Sequence, residues 1–422
     1  MSAKTLYERD QEVLASCGLL RFSPLAVNSA QGSQLVDENG RILIDFSAGG
    51  SAAGLGYAHP AVISAVEQAV RTMPGVGVLL GTHRYAVDLA AQLLSLTPTK
   101  GDNRCVYLGL SGSDANSAVL RGVRAASPRP VIVAFEHSYH GGIGPAQDIS
   151  GVWANPATEA DPELVLLPYG DAGAVEKALA SRDVAAVFIE PVLSDGGLVF
   201  PPQDFLEKVR KACTAYGSWL VVDEVKVGLG RTGRLHAFEH AGIEPDVVTL
   251  GKSLGGGLPI SAAVGPRKIL GAEPASSLLT LSGNPVGAAA AIAVTEVLST
   301  TTLVADVAEK GKLFAKQLED LYLQHDLVVD VRSQGLVCGI ELRPENGQPA
   351  AAITSLVLYR AWELGVTAIS VGPAGNVIEL TPPLIITEAE LEDGFARLNQ
   401  ALADAARGLV DPANIRAFPG WG

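Results

Sequence analysis

Apolar and polar positions change their period along the chain, and the changes mark out its elements. Residues 33–46 (SQLVDENGRILIDF) set two alternating runs around Asn39-Gly40, a dipeptide that favours tight turns. This pattern predicts a β-hairpin. Residues 60–73 and 84–97 carry apolar residues at helical spacing and flank a Gly-rich stretch. From about residue 104, short apolar runs alternate with Gly-rich turns and helical periods. Strands are expected at 105–110 (CVYLGL), 131–135 (VIVAF), 185–189 (AAVFI), 218–222 (SWLVV), 246–250 (DVVTL) and 260–264 (ISAAV). Helices are expected at about 114–126, 172–180, 203–216 and 284–299.

Alternating strands and helices predict a mainly parallel sheet covered on both faces, an α/β architecture. The last third departs from that rhythm. Helical patterns at 302–325, 351–364 and 387–406 enclose strand-like stretches at 327–342 and 366–381. This part reads as a smaller α+β domain, which the N-terminal hairpin could join. The expected division is 1–50 as an N-terminal segment, 51–310 as the large domain and 311–422 as the small domain.

Composition narrows the class. The chain has 422 residues, 48% of them hydrophobic, which is enough for more than one core. The net charge of -14 and the lack of a basic stripe argue against a nucleic-acid partner. Cys17, Cys105, Cys213 and Cys338 are scattered without metal-binding spacing, as expected for free thiols in a reducing compartment. The N-terminus shows no apolar signal region, and no apolar run reaches membrane-spanning length. These features suit a cytoplasmic protein with neither membrane nor metal site.

Three expected strand ends carry chemistry, and open α/β sheets bind ligands at such ends. Ser111-Gly112-Ser113 follows the first strand and opens a helix, where exposed N–H groups and the helix dipole favour an anion. Asp223 ends an apolar strand, where a carboxylate needs a partner. A pyridinium nitrogen would serve, and so would Arg231 or Arg234. Lys252 follows the strand at 246–250 and precedes Gly255-Gly256-Gly257, a flexible setting in which a buried amine becomes nucleophilic. Asp223 and Lys252 stand 29 positions apart.

In this order the motifs resemble the class III aminotransferase-fold enzymes, which are fold type I enzymes dependent on pyridoxal 5'-phosphate. The resemblance runs from about Leu20 to Trp421. It implies a large domain with a central parallel sheet and a small α+β domain built from both chain ends. It also implies roles: Ser111, Gly112 and Ser113 in the phosphate cup, Tyr139 stacked on the ring, Asp223 at the ring nitrogen, Val225 on the ring's other face, and Lys252 as the Schiff-base lysine. Thr280 matches a threonine that reaches the phosphate of the neighbouring subunit, which implies a homodimer. His140 is expected to support the site by hydrogen bonding, and His59 to mark a turn.

Departures from the aminotransferase pattern bear on the reaction. Glu379, in Asn376-Val377-Ile378-Glu379-Leu380-Thr381-Pro382-Pro383, stands where aminotransferases commonly place a carboxylate-binding arginine. A glutamate there would repel a substrate carboxylate, so an amide, lactam or simple amine is expected. Lys226 replaces a usual glutamine near the cofactor's phenolic oxygen. Asp195 lies in the turn after Glu190-Pro191, where it could face the substrate. Gly50 stands where related enzymes often carry an aromatic residue over the substrate, leaving a roomier pocket.

Together these resemble the α-amino-ε-caprolactam racemases, which also act on amino-acid amides. The implied mechanism has Lys252 removing the α-proton on one face and Asp195, expected protonated with a raised pKa, returning one on the other. Tyr139 stacks and could assist. An aminotransferase using a keto-acid acceptor is the alternative, and a non-catalytic binding protein is the third reading.

Overall fold

The computed structural model describes residues 4–153, 162–181, 183–418 and 420. Trp421, the expected end of the resemblance, lies outside them. The central sheet has seven strands in the spatial order Arg104–Gly109, Ser261–Pro266, Val247–Leu250, Trp219–Asp223, Val184–Ile189, Val131–Phe135 and Leu164–Leu167. Neighbours from Val247–Leu250 through Leu164–Leu167 pair in parallel. Ser261–Pro266 is antiparallel to both of its neighbours. The link from Leu250 to Ser261 is too short to hold a crossover helix, so the next strand must run back.

Val131–Phe135 and Val184–Ile189 are buried along their whole length. That is why they read as unbroken apolar runs: a sheet covered on both faces has no polar side. Leu164–Leu167 is a strand the sequence pattern did not mark, four residues at the sheet edge. The helix expected at 114–126 starts earlier, at Gly112, because Ser111 caps it.

Two smaller sheets lie outside this one. The expected hairpin forms, with Gln34–Asp37 antiparallel to Ile42–Asp45 and Gly40 at φ +79°. Val27–Gln31 adds a further strand to it. Val366–Thr367 pairs in parallel with Ile44 and Asp45, which ties the two ends of the chain into one sheet. The second sheet is antiparallel, in the order Val328–Gln334, Val337–Leu342, Val377–Leu380 and Ile369–Val371. The expected strand pair at 366–381 is therefore divided between two sheets, with Ala368 at the switch.

Aromatic packing reinforces the joining of the ends. Phe46 contacts Phe395 on the C-terminal helix at 5.6 Å between ring centroids, and Phe395 contacts Phe314 at 5.1 Å. Gly394 is required there, since a Cβ would lie 2.3 Å from Phe46 Cζ. Among the described residues, no single helix is long and apolar enough to cross a membrane.

Candidate active site

The parallel strands deliver their carboxyl ends to one cavity, lined by Gly112, Ser113, Asn116, Tyr139, His140, Gly141, Glu190, Ser194, Asp195, Asp223, Val225, Lys226 and Lys252. Ser111 is outside this lining. Its hydroxyl accepts from Asp114 N at 3.3 Å, and the Asp114 carboxylate accepts from Ser111 N at 2.8 Å, a reciprocal cap. The cap begins a 15-residue helix whose first N–H groups belong to Gly112 and Ser113. Glycine is needed at 112, because a Cβ would meet Val225 Cγ1 at 2.7 Å.

Asp223 is buried, with 4% of its surface exposed. One carboxylate oxygen meets His140 Nδ1 at 2.8 Å and accepts from Asn116 Nδ2 at 2.7 Å. The other accepts from Val225 N at 3.0 Å. Neither arginine considered from the sequence appears among these bonds, and Arg231 instead donates to the carbonyls of Leu336 and Pro382. His140 thus supports Asp223 from behind, while its own Nε2 has no partner. His59 caps the helix Pro60–Thr72, its Nδ1 accepting from Ala61 N at 3.3 Å.

Lys252 opens a short 3-10 turn at φ +42°, a left-handed conformation that is uncommon for a residue with a side chain. Such strain persists only where surrounding packing enforces it. Here Ser253 Oγ donates to Ser51 O at 2.7 Å and holds the turn against the segment 48–51. Burial, and then the Lys226 charge, push the Lys252 amine below the ordinary lysine range. Its Nζ lies 6.0 Å from the centre of the Tyr139 ring. Burial, then the Asp195 charge, raise the Tyr139 hydroxyl above an ordinary phenol.

Lys226 is buried between two carboxylates, donating to Asp195 Oδ1 at 3.0 Å and to Glu379 Oε2 at 2.7 Å. Burial alone would lower its pKa, but the two carboxylates more than offset that and hold it protonated. This arrangement corrects two expectations. Asp195 was expected to be protonated, whereas Lys226 and then Lys252 outweigh burial and pull its pKa below the ordinary aspartate value. It rests as a carboxylate. Glu379 was expected to face the substrate, yet it is fully buried, outside the cavity lining, and its charge is spent on Lys226. Repulsion of a substrate carboxylate therefore does not come from Glu379, and the ionised carboxylate on the cavity wall here is Asp195.

Gly50 also lies outside the lining, at φ +73°, with open space where a Cβ would stand. Thr280 is exposed and does not reach its own chain's cavity.

One prediction arises directly from this cluster. Lys226→Met removes the ammonium bonded to both Asp195 and Glu379 and leaves the fully buried Glu379 without its ion-pair partner. Removing one partner of a buried ion pair costs about 3–5 kcal/mol. The urea unfolding midpoint should fall accordingly, and an unchanged midpoint would refute the account.

Sequence reasoning gave no role to four lining residues, Asn116, Gly141, Glu190 and Ser194. Asn116 orders Asp223, and Glu190 and Ser194 bond to each other under the cavity. A signal for Glu190 was present: like Asp223, it is a carboxylate ending an apolar strand.

The lining residues fit pyridoxal phosphate on chemical grounds. A helix N-terminus suits the phosphate, a buried carboxylate suits the ring nitrogen, and a lysine amine suits the aldehyde. Val225 and Tyr139 supply apolar surface for a flat ring.

Comparison with known proteins agrees. The family pattern described as aminotransferase class-III matches residues 20–402. An alanine/serine racemase from Pyrococcus horikoshii is 32% identical, covering 97% of this chain and 92% of that protein. A leucine/methionine racemase from Thermococcus litoralis is 30% identical, covering all of both chains. The ornithine aminotransferase structure from Toxoplasma gondii superposes with a TM-score of 0.86 at 26% identity, over 96% of this chain and 97% of that one. The chain belongs to the class-III aminotransferase family, whose cofactor is pyridoxal phosphate.

Proposed function

We propose that the chain is a racemase that inverts the α-carbon of an α-amino acid, its amide, or an amino lactam such as α-amino-ε-caprolactam. The observation that carries this reading is the carboxylate of Asp195, held ionised by Lys226 in the same cavity as the lysine amine of Lys252. Inversion needs a proton acceptor on one side of the α-carbon and a donor on the other, and these two groups are suited to those tasks. The racemase relatives act, by their names, on free amino acids. Glu379 is buried outside the lining, so the negative charge a substrate carboxylate would meet in this cluster is that of Asp195, paired with Lys226.

When bound, the cofactor supplies an electron sink for the electrons left at the α-carbon. The chain's own residues do the rest. Lys252, with its lowered pKa, accepts the α-proton on one side. In that direction Asp195 returns the proton it gained in the opposite turnover, in which its carboxylate accepts the α-proton and the protonated Lys252 amine returns one from the other side. Asp223, backed by His140 and Asn116, would hold the ring nitrogen of the cofactor protonated. Tyr139, on the cavity wall, would offer its ring to the flat face of the cofactor.

The enzyme is proposed to act as a homodimer in a reducing, cytoplasmic setting. Thr280 lies between exposed Leu278 and Leu281, and this segment adjoins another exposed apolar stretch through a bond from Val78 N to Ser282 O at 3.3 Å. Such contiguous apolar surface marks an interface, and Thr280 is proposed to reach the partner's phosphate there. The four cysteines are free.

The second reading is an aminotransferase with a keto-acid acceptor, favoured by the family and by the likeness to ornithine aminotransferase. One experiment separates the two. Holoenzyme is incubated in deuterated water with single enantiomers of alanine, serine, leucine, methionine and aminocaprolactam, without keto acid. Inversion with α-deuteration of at least one is expected. If none inverts while amine transfer to pyruvate or 2-oxoglutarate proceeds, the aminotransferase reading replaces this one.

A further inference from the structure

Glu190 is a buried carboxylate that the proposed chemistry leaves without a task. It follows the strand Val184–Ile189 and has 3% of its surface exposed. A buried carboxylate is costly unless its lone pairs are satisfied. Here they are satisfied by hydrogen bonds from two separate loops. Oε1 accepts from Tyr139 N at 2.9 Å. Oε2 accepts from Ser194 N at 3.2 Å and also from Ser194 Oγ. The backbone carbonyl of Glu190 accepts from Tyr169 OH at 2.8 Å, which anchors the post itself.

The two loops held in this way are the ones that carry Tyr139 and Asp195. We propose that Glu190 is a positioning residue, a clamp whose ionised carboxylate sets the placement of Asp195 relative to Tyr139 and so to the cofactor. The clamp itself does not depend on the reaction assigned above; only its effect on inversion rests on the racemase reading.

The loop needs such a clamp. Its remaining ties are a Gly372 N bond to Asp195 O at 2.9 Å, the Leu193–Val199 bridge, and Arg332, which donates to Gly197 O and Leu198 O. These hold its distal side. Glu190 is bonded both to this loop and to the Tyr139 loop. Misplacing a catalytic group by about 1 Å can cost about 10²-fold in rate.

The clamp also has a titration within reach of neutral pH. Burial pushes the Glu190 carboxyl up to about 7. The groups that face it are His140, which opposes the shift, and Asp223, which adds to it, together with the hydroxyls of Ser194, Tyr139 and Tyr169. Ionised, it accepts from both loops. Protonated, it has one fewer acceptor site, and one loop loses its hold. Inversion should therefore decline as pH falls through about 7.

The test uses the holoenzyme and two variants. In Glu190→Gln, the amide oxygen can serve one loop, while its NH2 faces a donor on the other. Hydrogen–deuterium exchange should become at least tenfold faster in segment 136–142 or in segment 191–198, with the visible cofactor band retained. kcat for inversion should fall about 10²-fold with KM changed less than threefold, and the acid limb near neutrality should vanish. In Ser194→Ala, which removes one donor to the ionised form, the limb should move to higher pH. Unchanged exchange in both segments would overturn the clamp. Altered exchange together with an unmoved acid limb in both variants would overturn its effect on the reaction. If the wild type inverts no substrate, the racemase reading fails, and the exchange experiment still decides on the clamp.

Discussion

A Lys252→Ala protein is expected to show no measurable inversion and no covalently held pyridoxal phosphate. Two losses coincide at this residue. The first is the covalent tether, because no other lysine on the cavity wall is prepared to form it. Lys226 is also there, but its amine is locked between Asp195 and Glu379 and held protonated, and a protonated amine is not a nucleophile. The second is the base. A positioned proton acceptor contributes about 10²–10⁴-fold, and Lys252 is the buried amine whose surroundings push its pKa down rather than up. The measurement is borohydride reduction followed by mass analysis of the tryptic peptides, alongside the inversion assay. Wild type should carry the adduct on Lys252, and the variant nowhere. An adduct on Lys226 with inversion within tenfold of wild type would sink the assignment.

Asp195→Asn is expected to separate the two sides of the reaction. Asparagine keeps the shape but neither accepts nor releases a proton at useful pH. Inversion should fall by about 10²–10⁴-fold. Exchange of the α-hydrogen with deuterated solvent should persist, with retained configuration, for the enantiomer whose hydrogen faces Lys252. Loss of both would show a damaged site, and retention of both would remove Asp195 from the mechanism. The pH behaviour has a definite sign. The Asp195 pKa is depressed, so its ionised form is present throughout the neutral range and is lost only as pH falls below the ordinary aspartate value of about 3.9. An acid limb near neutrality therefore belongs to another group; Glu190, pushed up to about 7, borders the cavity, whereas Glu224, pushed up to about 8, lies outside its lining and accepts from Ala237 N and Phe238 N.

Much of the molecule was legible in order. The alternation of apolar runs and helical periods marked six of the seven strands of the central sheet, since strands buried on both faces must be apolar throughout. The edge strand Leu164–Leu167 escaped notice because it is short and only half-buried. The hairpin at Asn39-Gly40 was readable because its turn demands a positive φ. Its pairing with Val366–Thr367 was not, because two residues give no local signal across more than three hundred positions.

The same division runs through the site. Lys252, Asp223 and the Gly112-Ser113 helix start could be found by position alone, since each ends a strand or opens a helix where ligands bind in such sheets. Charge states could not. Asp195 next to two glycines gave no hint of which cation it would meet, and its protonation turned on Lys226, 31 positions away. Glu379 looked like a group that faces substrate until the fold brought Lys226 within 2.7 Å of it. Residue type and local period determine the strands, the helices and the cofactor's anchors, because those depend on near neighbours in the chain. Which carboxylate is ionised, and which faces the cavity, depends on charges a few ångströms away in space and distant in sequence, and only the tertiary structure decides that.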